Sequence, residues 1–156
     1  MATLSKLANS AFCTKNDKRS TGDDRRDERD MHMELMSGNE AIARGAWEAG
    51  ATIGVAYPGT PSTETLEAFA KMDGVYAEWS VNEKVAVEVG VGASAAGARI
   101  LAAMKMVGVN VAADPLYTAA YTGVGGGFVI LAADDPGMYS SQNEQDSHWH
   151  AQGAHI

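Results

Sequence analysis

From about residue 33 onward, short runs of consecutive apolar residues alternate with longer stretches in which apolar side chains recur every three or four positions. "SGNEAIARGAWEAG" (37–50) carries Ile42, Ala46 and Trp47 on one side. Ser37 or Asn39 is a candidate cap and Gly50 a stop, so the segment reads as a helix. "ATIGVAYP" (51–58) then predicts a buried strand, "STETLEAFAKM" (62–72) a second helix, and "GVYAEWS" (74–80) a strand with mixed faces. A helix rich in small residues, "VNEKVAVEVGVGASAAG" (81–97), is followed by the strand "ARILAAM" (98–104). A helix around "ADPLYTAAYT" (113–122) and a last strand "GGFVILAADD" (126–135) complete the alternation. Strands separated by helices of this length imply right-handed crossovers, and hence an α/β fold of three layers (αβα) around a mostly parallel sheet covered on both faces. In such sheets ligands sit beyond the carboxyl ends of the strands.

Charge divides the chain. Residues 1–32 hold seven Lys/Arg against six Asp/Glu, while the remainder holds five against fourteen, or −9 of the overall −8. The stretch "TKNDKRSTGDDRRDERD" (14–30) has almost nothing apolar to bury, so residues 1–33 read as a disordered, charged extension, and residues 34–156 as the folded domain. A targeting peptide is the other reading of the extension, and its many acidic residues weaken it. The net acidity excludes a nucleic-acid groove, which needs clustered Lys and Arg. No run of about eighteen apolar residues occurs to span a membrane. A single cysteine, Cys13, excludes a disulfide framework and suits a reducing cytoplasm, the expected location.

Two places carry candidate chemistry. At "YPGTPSTE" (57–64) an apolar strand turns into a helix, with Thr60 as a candidate cap, Pro61 at the first helical position, and the hydroxyls of Ser62 and Thr63 beside the free amides of the first turn. This is either a well-made helix start or a seat for a small anionic or carbonyl ligand. Without a lysine it is no Walker loop, and "GVGGGF" (123–128) precedes a strand where a phosphate cradle would follow one. The second place is "EWSVNEK" (78–84). Ser80 and Glu83 have capping-box spacing, so Glu83 either closes back on its own helix start or stands as a carboxylate at the mouth of a small-residue wall, able to share a proton with a ligand. Asp134 and Asp135 with Pro136 and Gly137 read as a turn. His148 and His150 read as a solvated tail, and no metal site is expected.

"YPGTPSTE", "EWSVNEKVAVEVGVGASAAGARILAAMK", "VGVNVAADPL" and "ADDPGMYSSQNEQDS" together resemble the 2-oxoacid:ferredoxin oxidoreductase superfamily, and within it the N-terminal part of the alpha subunit of the indolepyruvate-type enzymes. The likeness runs over residues 35–147. It implies the pyrimidine-binding module of a thiamine diphosphate enzyme, truncated at its C-terminus. Glu83 would be the catalytic and cofactor-binding carboxylate that exchanges a proton with N1′ of the aminopyrimidine. Thr60 would bind the substrate's carboxylate and carbonyl, and Pro58 and Gly59 of the same turn would border the cofactor. The implied reaction is oxidative decarboxylation of an aryl 2-oxo acid to an acyl-coenzyme A, with electrons passed through [4Fe–4S] clusters to ferredoxin.

The superfamily's diphosphate- and Mg2+-binding Gly-Asp-Gly motif does not occur in the sequence, nor does a cysteine cluster. Both would reside in another module or partner subunit, and a homo- or hetero-oligomer is expected, with the face meant for that module prone to self-association. After "NEQDS" the pattern of the superfamily continues with an arginine where this chain has His148. A subunit of a non-oxidative 2-oxoacid decarboxylase and a non-catalytic orphaned module are the alternatives.

Overall fold

Four parallel strands and five helices make up the described residues, 34–156, of the computed structural model. In chain order they are α1 (Gly38–Glu48), β1 (Ile53–Ala56), α2 (Thr63–Phe69), β2 (Tyr76–Trp79), α3 (Glu83–Ala95), β3 (Ile100–Lys105), α4 (Met106–Thr122), β4 (Phe128–Ala133) and α5 (His148–Ala154). The expected charged extension, 1–33, lies outside the described residues.

The sheet runs β2-β1-β3-β4, with every pair parallel. The chain first steps from β1 outward to β2, then crosses back over β1 to β3 and on to β4. Right-handed crossovers in opposite directions place their helices on opposite faces. Accordingly Ala43 of α1 and Ala68 and Phe69 of α2 pack with Leu101 on one face. On the other, Ala86 and Val87 of α3 and Val109, Ala112 and Leu116 of α4 pack with Val55, Ile100, Ala102 and Met104. Alternate residues of β3 thus feed the two cores, and all six of its positions are buried. That is why the central strand reads as an unbroken apolar run. The expected three-layer α/β architecture is the one observed.

Close approach explains several small residues. A Cβ on Gly54 would stand 2.6 Å from the Phe69 ring, and one on Gly90 2.5 Å from the Phe128 ring. The small-residue wall of α3 is therefore partly occupied by the protein's own Phe128. The glycine loop before β4 is likewise committed, because Gly126 donates its amide to Ser94 O (2.7 Å) and accepts from Ser94 Oγ (2.8 Å) at the end of α3.

Local expectations needed four corrections. Ser62, not Thr60, is the N-cap of α2, and Pro61 precedes the helix after a cis Thr60–Pro61 peptide. Asn82 caps α3 by accepting from Val85 N (2.9 Å), so the Ser80–Glu83 capping box does not form. Helix α4 begins at Met106, directly after β3, and is 17 residues long. The histidine tail is a helix, α5, whose Ala154 is buried against the α3/α4 core and whose His150 Nε2 meets Asn110 Oδ1 at 2.9 Å. The capping box that does form is at α1, where Glu40 N donates to Ser37 Oγ and Ser37 N to Glu40 Oε2.

Candidate functional site

The strand order reverses between β1 and β3, because the chain leaves β1 toward one edge of the sheet and β3 toward the other. At such a switch point the loops beyond the carboxyl ends diverge and leave a crevice. The Tyr57–Ser62 turn follows β1 there, Lys105 ends β3, and the first turn of α4 follows it. A Cβ on Gly59 would stand 3.1 Å from Lys105 Cβ, so only a glycine lets the turn lie this close against β3.

Within the turn nearly every polar group is engaged. Gly59 N donates to Thr63 Oγ1 (2.9 Å), Ser62 N and Oγ both donate to Gly59 O (2.9 and 2.8 Å), and Asn39 Nδ2 donates to Pro61 O (2.9 Å). Thr65 Oγ1 donates to Asn39 Oδ1 (2.9 Å). Ser62 and Thr63 therefore stiffen the turn and do not face a ligand, which favours the helix-start reading for those two residues. Thr60 differs: it is exposed, and its hydroxyl has no hydrogen-bond partner among the described residues. Pro58 is exposed and Gly59 half-buried beside it.

Glu83 is the first residue of α3 and only 9% exposed. Its carboxylate has no hydrogen-bond or ion-pair partner among the described residues. It packs against Gly108 in the first turn of α4, where any Cβ would overlap it. Two helix N-termini thus favour its negative charge without a directed bond to either oxygen. Ser80 Oγ, in a residue 8% exposed, is likewise buried with no partner. By the β1–β2 register Ser80 shares the sheet face of Val55 and Glu78, the face on which α3 packs. One buried hydroxyl without a partner thus stands three residues before the carboxylate that opens α3.

Residues 135–141 form a strap tied to the Tyr57–Ser62 turn and to the end of β3. Ser140 Oγ donates to Thr60 O (3.3 Å) and Ser140 O accepts from Lys105 Nζ (2.5 Å). Asp135 anchors the strap by accepting from Ser140 N (2.9 Å) and Ser141 Oγ (2.6 Å), and it shares the single Ser140 hydroxyl hydrogen (3.2 Å) with the Thr60 carbonyl. The Ser141 hydroxyl, then the Ser140 amide, hold the Asp135 carboxyl below the usual aspartate range. On the outer side of α3, the hydrogen bond from Lys84 Nζ to Asp114 Oδ2 (2.7 Å) raises the lysine's pKa and ties α3 to α4 beside Glu83. Among the described residues no group of three His, Cys, Asp or Glu is placed to hold a metal, and no helix is long and apolar enough to cross a membrane.

Sequence reasoning singled out Thr60 and Glu83, and the fold brings both to the carboxyl edge of the sheet. It missed Asn82, whose Asn-Glu-Lys context is itself a cap signal. It missed Lys105 and Ser140 as well. A charge ending the apolar run "ILAAMK" was the available sign for Lys105.

Comparison with known proteins bears on this geometry. No family model matches the chain. Over 130 residues it is 58% identical to the indolepyruvate oxidoreductase subunit IorA of Archaeoglobus fulgidus, covering 78% of this chain and 21% of that subunit. It is 54% identical over 125 residues to the IorA subunit of Thermococcus kodakarensis, covering 78% and 19% respectively. The chain thus spans about a fifth of the length of the curated relatives it matches. The 2-oxoglutarate synthase subunit KorA of A. fulgidus is 36% identical over 96 residues, 59% of this chain and 28% of that one. Among solved structures, a 2-oxoglutarate:ferredoxin oxidoreductase from Magnetococcus marinus superimposes with a TM-score of 0.59 at 26% identity, over 65% of this chain and 18% of that one. Over the segment it shares with them, the chain belongs to the family of the indolepyruvate oxidoreductase IorA subunits, within the 2-oxoacid:ferredoxin oxidoreductases.

Proposed function

We propose that residues 34–156 are the pyrimidine-binding module of a thiamine diphosphate-dependent 2-oxoacid:ferredoxin oxidoreductase of the indolepyruvate type. The observation that carries the reading is the carboxylate of Glu83, a residue only 9% exposed, which no described residue bonds, with the unsatisfied Ser80 Oγ three residues before it. An aminopyrimidine ring offers the nitrogen and amino hydrogens that such a pair lacks, and it is flat enough for the mouth of a small-residue helix. The residues present fit that ring. They do not fit the diphosphate and its Mg2+, which a partner module would hold.

When bound, thiamine diphosphate supplies the carbon nucleophile that attacks a 2-oxo carbon and takes up the electron pair released with carbon dioxide. This chain's residues serve that chemistry in separate ways. Glu83 holds and moves a proton at N1′, its side chain packed against Gly108 in the first turn of α4. Its carboxylate is held without a competing bond, so the proton is shared with the ring alone. Ser80 offers a hydroxyl to the same ring. Thr60 presents its free hydroxyl to the substrate's oxygens, while the internal bonds of Ser62, Thr63 and Asn39 keep the turn from moving. Pro58 and Gly59 border the ring.

The complete reaction is oxidation of an aryl 2-oxo acid to an acyl-coenzyme A, with [4Fe–4S] clusters elsewhere in the complex passing electrons to ferredoxin. To test it, the chain is combined with a partner carrying the diphosphate-binding motif and supplied with an aryl 2-oxo acid, coenzyme A and ferredoxin. Thiamine-dependent ferredoxin reduction with acyl-coenzyme A formation is expected. Formation of the aldehyde alone would move the assignment to a non-oxidative decarboxylase.

A further inference from the structure

Resting on the reading of this crevice as a 2-oxo-acid site, we propose that Lys105 is the cation that receives the substrate's carboxylate. β3 is buried along its whole length, and Lys105 is its only charged residue, at the carboxyl end and 8% exposed. Its ammonium carries three hydrogens and makes one bond among the described residues, to the Ser140 carbonyl. No carboxylate among those residues lies within ion-pair distance. Asp135, the acid attached to the same Ser140, is engaged by Ser140 and Ser141 hydrogens. A buried ammonium without a counter-charge is unfavourable, and a strut to one carbonyl would need only a neutral donor. The remaining charge and hydrogens suit an anion that arrives with a ligand.

Place specifies which anion. The Lys105 stem lies against Gly59, and Ser140 links its ammonium to Thr60, since one residue accepts from Lys105 and donates to the Thr60 carbonyl. The ammonium and Thr60, whose hydroxyl is free, are thus brought to the same switch point from β3 and β1. A 2-oxo acid presents a carboxylate and an adjacent carbonyl, and a cation paired with a hydroxyl donor matches that pair of acceptors. Lysine serves here as a compact point charge with rotatable donors.

The test uses the assembled, thiamine-dependent complex and compares KM for the 2-oxo acid with inhibition by its methyl ester, which keeps the shape and the carbonyl but lacks the charge. Lys105→Met is expected to raise KM for the acid by about 10- to 100-fold, the worth of a charge-assisted bond, while kcat falls less and inhibition by the ester is unchanged. Lys105→Arg should recover most of the loss. If Lys105→Met weakens acid and ester equally, Lys105 is only a strut and the proposal is overturned. It is equally overturned if neither changes. Should the Met variant not assemble, the unmodified complex decides: the ester must bind at least about tenfold more weakly than the acid, and equal binding overturns the proposal. A complex with no thiamine-dependent turnover overturns the site reading itself, a failure distinct from thiamine-dependent turnover that is indifferent to Lys105.

Discussion

The Glu83 carboxylate lies against Gly108, so that the first residue of α3 and the first turn of α4 share one buried negative charge. No side chain fits between them. This contact explains why a glycine stands in the first turn of a helix where alanine would ordinarily be better by about 0.5–1 kcal/mol.

Gly108→Ala therefore should not give the usual gain in stability. Its methyl would displace the carboxylate, and affinity for thiamine diphosphate in the assembled complex should fall by about tenfold or more. Thermal melting of the chain and cofactor titration of the complex check the two halves. A more stable variant with unchanged affinity would contradict the contact.

Ser80 and Asn82 should respond oppositely to alanine. Asn82→Ala removes the cap on Val85 N and should cost about 1 kcal/mol, with Asn82→Asp restoring most of it. Ser80→Ala removes a buried hydroxyl that bonds nothing, so in the absence of cofactor it should be neutral or stabilising by up to about 1 kcal/mol. Denaturant unfolding of the three variants decides. Equal losses at Ser80 and Asn82 would restore the capping box that the structure lacks.

Gly90→Ala should destabilise by about 1–3 kcal/mol, because its methyl meets the Phe128 ring. Pairing it with Phe128→Leu should return part of the loss. A double variant no better than Gly90→Ala alone would show that the ring is not the obstacle.

The strap should loosen in acid. Hydrogen bonds from Ser141 and Ser140 depress the Asp135 pKa below its ordinary 3.8, so the ionised form is favoured in the folded chain. The contribution is present above pH 3.8 and is lost as pH falls below that value through the folded-state pKa. Amide exchange at residues 138–141 should accelerate over that range in the native chain and be fast at neutral pH in Asp135→Asn. Protection at Ser140 that does not depend on Asp135 would dismiss the anchor.

Much of this was legible in the sequence, and the exceptions have physical causes. Helices α1 to α3 and all four strands followed from periodicity and punctuation, because Gly50, Gly74 and Gly97 with positive φ separate them. The start of α4 was hidden because β3 ends at Lys105 and α4 begins at Met106 with no turn residue between them. Within the apolar stretch 100–112, period alone cannot separate a buried strand from a buried helix. The cap of α3 was ambiguous because Ser80 and Asn82 both precede plausible first turns. At the site, Thr60 and Glu83 stood in local motifs, whereas the Lys105–Ser140–Thr60 chain joins residues 35 and 80 positions apart. Only the sheet order brings those together.

The most direct measurement is the rate at which the C2 proton of thiamine diphosphate, bound in the assembled complex, exchanges with deuterium when Glu83 is replaced by Gln. If Glu83 moves the proton at N1′, Glu83→Gln should slow exchange by about 10²–10⁴-fold while the complex still assembles and binds the cofactor. Exchange at the unmodified rate in a fully loaded Glu83→Gln complex would contradict the assignment of Glu83.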